Sequence, residues 1–322
     1  MRRSNVVAAD GSGYWHALTL DVTQPQRANL QVQVAGQGRL LLTQNGQPVL
    51  LAVVDRYRSG VEYLRTDKFR SPIKPLRAAQ ARQTVAGDPD AGRSRWAHYF
   101  ATALATATTG PLQRGQWVIS RDDHLRSVHQ ARSVAERWTT LLLSGDPDGS
   151  IDWIAHNGGG QVLPLRRLSS LENGRVKAYR KQVRDGSLPP ILLWWISGLD
   201  AYAILDGHDR VLAAIAENEE PPRLTLSSLS IERANRDLDA VTTRYAAILP
   251  HIQEQGQAGT PGAADALAAA HSGLAERLHA AGIAYAPTPA WPLLGGTEAW
   301  RSLAQLHAPR WLSSVEAERH TV

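Results

Sequence analysis

An α+β fold is predicted for this chain, with a small α/β unit at residues 161–226 between an N-terminal β-rich region and a C-terminal helical region. Three observations carry the prediction. Between residues 13 and 66 apolar residues alternate with polar ones at the two-residue period of half-buried strands. Between 161 and 226 short apolar runs and helical stretches follow one another as strand, helix, strand, strand, helix, strand. In the C-terminal third, Ala and Leu recur at helical spacing. The segments are therefore drawn as 1–85 (β-rich), 86–160 (mostly helical, connecting), 161–226 (the α/β unit) and 227–322 (helical).

In the first segment, Tyr14–Val22 is a mixed apolar run, and Leu30, Val32 and Val34 alternate with polar neighbours. Arg39–Thr43 and Pro48–Val54 flank Asn45-Gly46, a hairpin signal because both turn residues tolerate positive φ. Val61–Arg65 adds another strand, and together these runs suggest a small antiparallel meander. Ala86–Arg93, rich in Gly, Asp and Pro, reads as a loop. Trp96, Tyr99, Phe100, Ala103 and Leu104 then fall at helical spacing up to the stop at Gly110-Pro111. Gln116–Ser120 reads as a strand and Asp122–Leu143 as a helix with Leu125, Val128, Val134 and Trp138 inward. Asp146, Asp148 and Asp152 resemble part of a calcium loop, but the closing Glu is missing and an Asp-Pro-Asp-Gly turn explains them. After the unit, Ser230–Leu249 presents Ala234, Leu238, Val241, Tyr245 and Ile248 on one face; Ala263–Ala281 and Thr297–His307 are further helices.

Composition narrows the chemistry. Cysteine is absent, which excludes disulfides, thiolate metal sites and cysteine nucleophiles. No run reaches the ~18 apolar residues of a membrane span, and residues 1–11 lack a signal-peptide core, so the expected location is the cytoplasm. The net charge of +5 favours an anionic partner, yet no run of like charges of the kind found in DNA-binding tails occurs. A nucleotide is preferred to nucleic acid on this ground.

The informative unit opens with the strand Val162-Leu163-Pro164-Leu165, followed by the turn Leu168–Gly174 and a helix over Arg175–Asp185 that Gly186 ends. Ile191–Ile196 and Tyr202–Leu205 are paired strands, a helix runs from the following turn through Asn218, and Arg223–Leu226 closes the unit. At Asp206-Gly207-His208-Asp209-Arg210 a strand runs straight into a helix. Gly207 lets a ligand approach the backbone, while the first N–H groups and the dipole of the helix attract an anion. Arg210, a cation in the first turn, opposes the dipole unless it reaches forward to a phosphate. Asp206 and Asp209 are candidate Mg²⁺ ligands, and His208 a candidate phosphate donor or proton carrier. Simpler readings stand beside these: Asp206 as a helix N-cap, and Asp209 as a carboxylate placed to offset the dipole.

These residues resemble the ParB/sulfiredoxin-like superfamily across the whole 161–226 unit: Val162–Leu168, the helix ending at Gly186, Pro190–Leu193 and Ile204–Arg210 with Ala213-Ala214. The resemblance implies a turn that binds nucleotide phosphates, with ATP or ADP, or CTP, and Mg²⁺. The Asp-Gly-His form is most similar to the free-serine-kinase branch, in which an acidic residue before the first helix is the general base; Glu172 occupies that place. The position of the sulfiredoxin cysteine holds His208, and Asp209 stands where the serine kinases carry a second His. The chromosome-partitioning branch has Gly-Glu-Arg-Arg at the turn, of which Gly207 and Arg210 agree.

What the resemblance implies is a nucleotide-dependent phosphotransferase acting on a small hydroxyl-bearing acceptor. Glu172, His208 and Asp209 would be catalytic, with Asp206, Gly207, His208 and Arg210 on the phosphates. A CTP-dependent DNA-binding or partner-binding switch, and a module without turnover, are the alternatives.

Overall fold

In the computed structural model, the described residues are 1–7, 14–55, 60–76, 89–121, 147–153, 161–258, 261–281 and 285–319, with Ala81, Thr84 and Trp138. They form an α+β fold built on two mixed sheets. One sheet has seven strands in the spatial order β1 (Arg2–Val7), β2 (Trp15–Val22), β7 (Gly115–Ser120), β12 (Arg223–Leu229), β10 (Ile191–Ile196), β11 (Ala201–Asp206) and β9 (Gln161–Pro164). The other has six: β13 (Ala290–Pro292), β3 (Leu30–Gly36), β4 (Arg39–Gln44), β5 (Gln47–Asp55), β6 (Gly60–Arg65) and β8 (Asp148–Asp152).

The two-residue period decides which core each side chain enters. On β10, Leu192, Trp194 and Ile196 join a large core that also takes Leu40, Leu42, Leu50 and Ala52 from the six-stranded sheet. The intervening Ile191 and Leu193 point to the opposite face, where they meet Tyr202, Ile204, Val211, Ile215 and Trp138. A strand covered on both faces reads as a continuous apolar run, as Ile-Leu-Leu-Trp-Trp-Ile does. β4 is buried along its whole length for the same reason. Its Leu41, with Leu51, Val53 and Leu64, packs under α6 (Gly296–His307) and α7 (Pro309–Arg319) through Trp300, Trp311 and Leu312. The β4–β5 hairpin turns at Asn45 (φ 51) and Gly46 (φ 76), both left-handed as Asn-Gly suggests.

The meander exists as β3–β6, each strand antiparallel to the next. β2, however, belongs to the other sheet, between β1 and β7. β7 in turn pairs with β12, which runs on to Leu229, so this sheet extends beyond the 161–226 unit. The sheet therefore crosses the segment boundaries drawn from the sequence.

Helix α1 (Pro89–Thr106) buries Trp96, Phe100 and Leu104 in the large core, as their spacing predicts. It begins at Pro89, inside the stretch expected to be loop, because proline suits the first helical position. The helix expected over 122–143 and Asp146 lie outside the described residues, apart from the buried, helical Trp138. Helices α2 (Gly174–Arg184) and α3 (His208–Ala216) pack together through Val176, Leu212 and Ala213 on the outer face of the seven-stranded sheet. α4 (Ile231–Gln257) continues past Pro250 and packs against α5 (Ala263–Ala281). Among the described residues no helix is long and apolar enough to cross a membrane.

Candidate anion-binding site

β11 carries Asp206 at its C-terminal end, and Gly207 turns the chain into α3 with φ 101. Glycine is required here by packing as well as by conformation. A Cβ at Gly207 would lie 2.7 Å from Ile191 Cγ2 and 2.9 Å from Arg210 Nη2. The space left by the missing side chain is thus filled by the protein's own Ile191 and Arg210.

Arg210 is only 3 % exposed and does not reach out of the turn. Its Nη2 donates to Asp206 Oδ2 at 2.6 Å and to the Pro190 carbonyl at 3.1 Å. The other carboxylate oxygen of Asp206 accepts from Ser71 Oγ at 2.9 Å. Asp206 is therefore neither a side-chain N-cap, since α3 has no side-chain cap, nor an open ligand position.

His208 is buried, and its Nε2 accepts the Leu165 N–H at 3.1 Å, which leaves the ring proton on Nδ1. Its ring lies 5.8 Å from that of Phe69. Burial first, then the charges of Arg166, Arg65 and Arg210, push its pKa well below the ordinary 6.5. At neutral pH His208 is an uncharged acceptor tying β9 to the turn, a poor proton carrier.

Asp209, 5 % exposed, gathers cations. Its Oδ1 accepts from Arg166 Nη2 at 3.1 Å and Ser169 Oγ at 2.8 Å, and Arg175 Nη1 lies 3.6 Å from Oδ2. A buried carboxylate is tolerable only when so paired.

Glu172 stands apart. It is 82 % exposed, pairs with Lys177 at 2.6 Å, and is not among the residues lining the cleft beside the turn. The hydrogen bond from Lys177 holds its carboxyl below the usual range. Its neighbour Asn173, which caps α2 by accepting the Arg175 N–H at 2.9 Å, does line the cleft.

The far wall of this cleft comes from residues 69–76, a stretch in which the sequence showed no motif. It is anchored by tertiary hydrogen bonds. Gln44 accepts the Arg70 N–H and donates to the Arg70 carbonyl, both at 2.8 Å, and Asp67 Oδ1 accepts the Arg167 N–H at 2.7 Å. The cleft measures about 580 Å³ and is lined by Arg70, Lys74, Arg166, Arg175 and Arg210 against Asp206 and Asp209. Five positive and two negative side chains leave an excess of three positive charges, with neutral Tyr179, Ile73 and Leu76 alongside.

Such a cleft fits a polyanion. Mg²⁺ fits less well. Asp206 and Asp209 are each held by arginine, and among the described residues no group of three His, Cys, Asp or Glu is placed to hold a metal. A second cleft of about 550 Å³, near Trp96 and Arg223, mixes Arg93, Arg121 and Arg223 with Glu219 and Glu220 and contains none of the turn residues. It offers no comparable charge excess. Comparison of the chain with protein-family models, curated proteins and solved structures gave no match.

Proposed function

We propose that this protein binds a nucleotide, with the phosphates in the cleft at Asp206–Arg210. The single observation that carries the reading is the concentration of Arg70, Lys74, Arg166, Arg175 and Arg210 around one 580 Å³ cleft. The order β9, α2, β10, β11, α3, β12 supports it through its resemblance to the ParB/sulfiredoxin-like superfamily, whose members hold ATP, ADP or CTP at the equivalent turn.

Of the activities that this resemblance implies, nucleotide-gated binding of a partner has more support than phosphotransfer. A general base needs a free carboxylate within hydrogen-bond reach of the acceptor. Asp206 and Asp209 are committed to arginines, and Glu172 is turned to solvent with Lys177. Phosphotransfer to a small hydroxyl-bearing acceptor is kept as the second reading by one observation: Glu172 directly precedes Asn173, which lines the cleft.

The test is a thermal-shift panel of ATP, ADP, CTP and GTP, followed by an assay of nucleotide consumption with candidate acceptors. Stabilisation by a nucleotide is expected; no shift with any of them overturns the reading. Consumption abolished by Glu172→Ala, with binding retained, would establish the second reading over the first.

A further inference from the structure

Resting on the nucleotide reading, we infer that the cleft neutralises its phosphates with arginine and lysine alone, without a divalent cation, and that Asp206 and Asp209 act as positioning residues for those arginines.

The donor set carries this inference. A Mg²⁺ ion shared with phosphates needs carboxylate oxygens facing the ligand. Asp206 gives one oxygen to Ser71 and the other to Arg210. Asp209 gives Oδ1 to Arg166 and Ser169, while Oδ2 faces Arg175. Recruiting Asp206 to a metal would strip the buried Arg210 of its counter-charge, and recruiting Asp209 would release Arg166 and Arg175 from their shared anchor. For Arg210, which is almost fully buried, that is a heavy cost.

The cations are arranged as the complement. Asp209 holds Arg166 and Arg175 side by side, so two planar donor forks share one anchor and keep further N–H groups for a ligand. Across the cleft, Arg70 and Lys74 are exposed and make no ion pair among the described residues. Four cations from two walls thus surround the space in front of α3, where the helix dipole also favours negative charge. A triphosphate carries about the charge that this set can balance.

Because Mg²⁺ chelates polyphosphates and removes charge from them, it should weaken binding here. The experiment is calorimetric titration of the full chain with inorganic tripolyphosphate and with ATP or CTP, in EDTA and in excess Mg²⁺. The expected result is affinity in EDTA at least equal to that in Mg²⁺. Lys74→Gln and Arg175→Gln, both on exposed side chains, should each weaken tripolyphosphate binding in EDTA by roughly three- to tenfold. Affinity that is lower in EDTA than in Mg²⁺ overturns the metal-free site and leaves the nucleotide reading standing. Unchanged affinity in both variants places the ligand elsewhere and overturns the inference. No binding of any of these anions in either condition overturns the nucleotide reading itself.

Discussion

Replacing Gly207 by alanine separates two accounts of why glycine stands at the turn. If it serves only the approach of a ligand, Gly207→Ala changes binding and leaves the free protein as stable as before. The geometry requires otherwise. The φ of 101 is a left-handed conformation, which costs an L-residue about 1–2 kcal/mol. The added methyl would also sit 2.7 Å from Ile191 Cγ2 and 2.9 Å from Arg210 Nη2, a clash inside a packed core. Overpacking of this kind costs roughly 1–3 kcal/mol. The sum, about 2–5 kcal/mol, corresponds to a fall in Tm on the order of 3–7 °C for a chain of this size. Gly186→Ala supplies the control. Its φ is 64 and a Cβ there meets nothing within 4 Å, so only the backbone cost of about 1–2 kcal/mol applies. Urea denaturation of the three proteins without ligand measures both values. A Gly207→Ala protein no less stable than Gly186→Ala would refute the steric account, and with it the closure of Arg210 over the glycine.

His208 adds a pH dependence. Because its folded pKa is depressed, only the unfolded chain takes up its proton as pH falls below the ordinary 6.5. Stability should be flat with respect to this group above about pH 7 and fall by up to about 1.4 kcal/mol per pH unit below 6.5. His208→Asn, whose side-chain oxygen can still accept the Leu165 N–H, should remove this component in urea titrations at pH 5 and 7; an unchanged pH slope would refute the assignment. Ser71→Ala, which removes the hydrogen bond to Asp206, should cost about 0.5–1.5 kcal/mol by the same measurement. Trp300→Ala, at a fully buried side chain whose Nε1 donates to the Leu40 carbonyl, should cost about 3–5 kcal/mol and loosen α6 from the six-stranded sheet. Hydrogen exchange along β4 and β5 would report that loosening.

The elements around the turn were legible because each rests on a local signal. Short apolar runs mark β9 to β12, Gly186 ends α2, and Asn45-Gly46 sets the β4–β5 hairpin. The sheet to which β2 belongs was not legible. Trp15–Val22 has the same local pattern as the meander strands, and only its pairing with β7, about a hundred residues on, assigns it to the larger sheet. The far wall of the cleft was hidden for a related reason. Residues 69–76 have no periodicity, and their place is set by bonds from Gln44 and to Asp206, the latter 135 residues away in sequence.

The charged turn itself was visible, but the direction in which its side chains face was not. A cluster such as Asp-Gly-His-Asp-Arg suits a ligand equally well whether its groups point outward or satisfy one another. Burial decides between these arrangements. Asp209, Arg210 and His208 are almost fully enclosed, and an enclosed charge must find its partner within the protein. Arg210 therefore closes on Asp206, and Asp209 draws in Arg166 and Arg175. Pairing within the motif leaves the exposed cations on its borders, Lys74, Arg70 and Arg175, as the side chains that would meet the proposed nucleotide first. One sequence signal bears on this: a carboxylate inside the first turn of a buried helix requires cations nearby, and Arg166-Arg167 at the end of β9 are in position to supply one. On the proposed nucleotide reading the motif is the frame of the site, and substitutions at the exposed Arg70, Lys74 and Arg175 should alter which anion binds before they alter the fold.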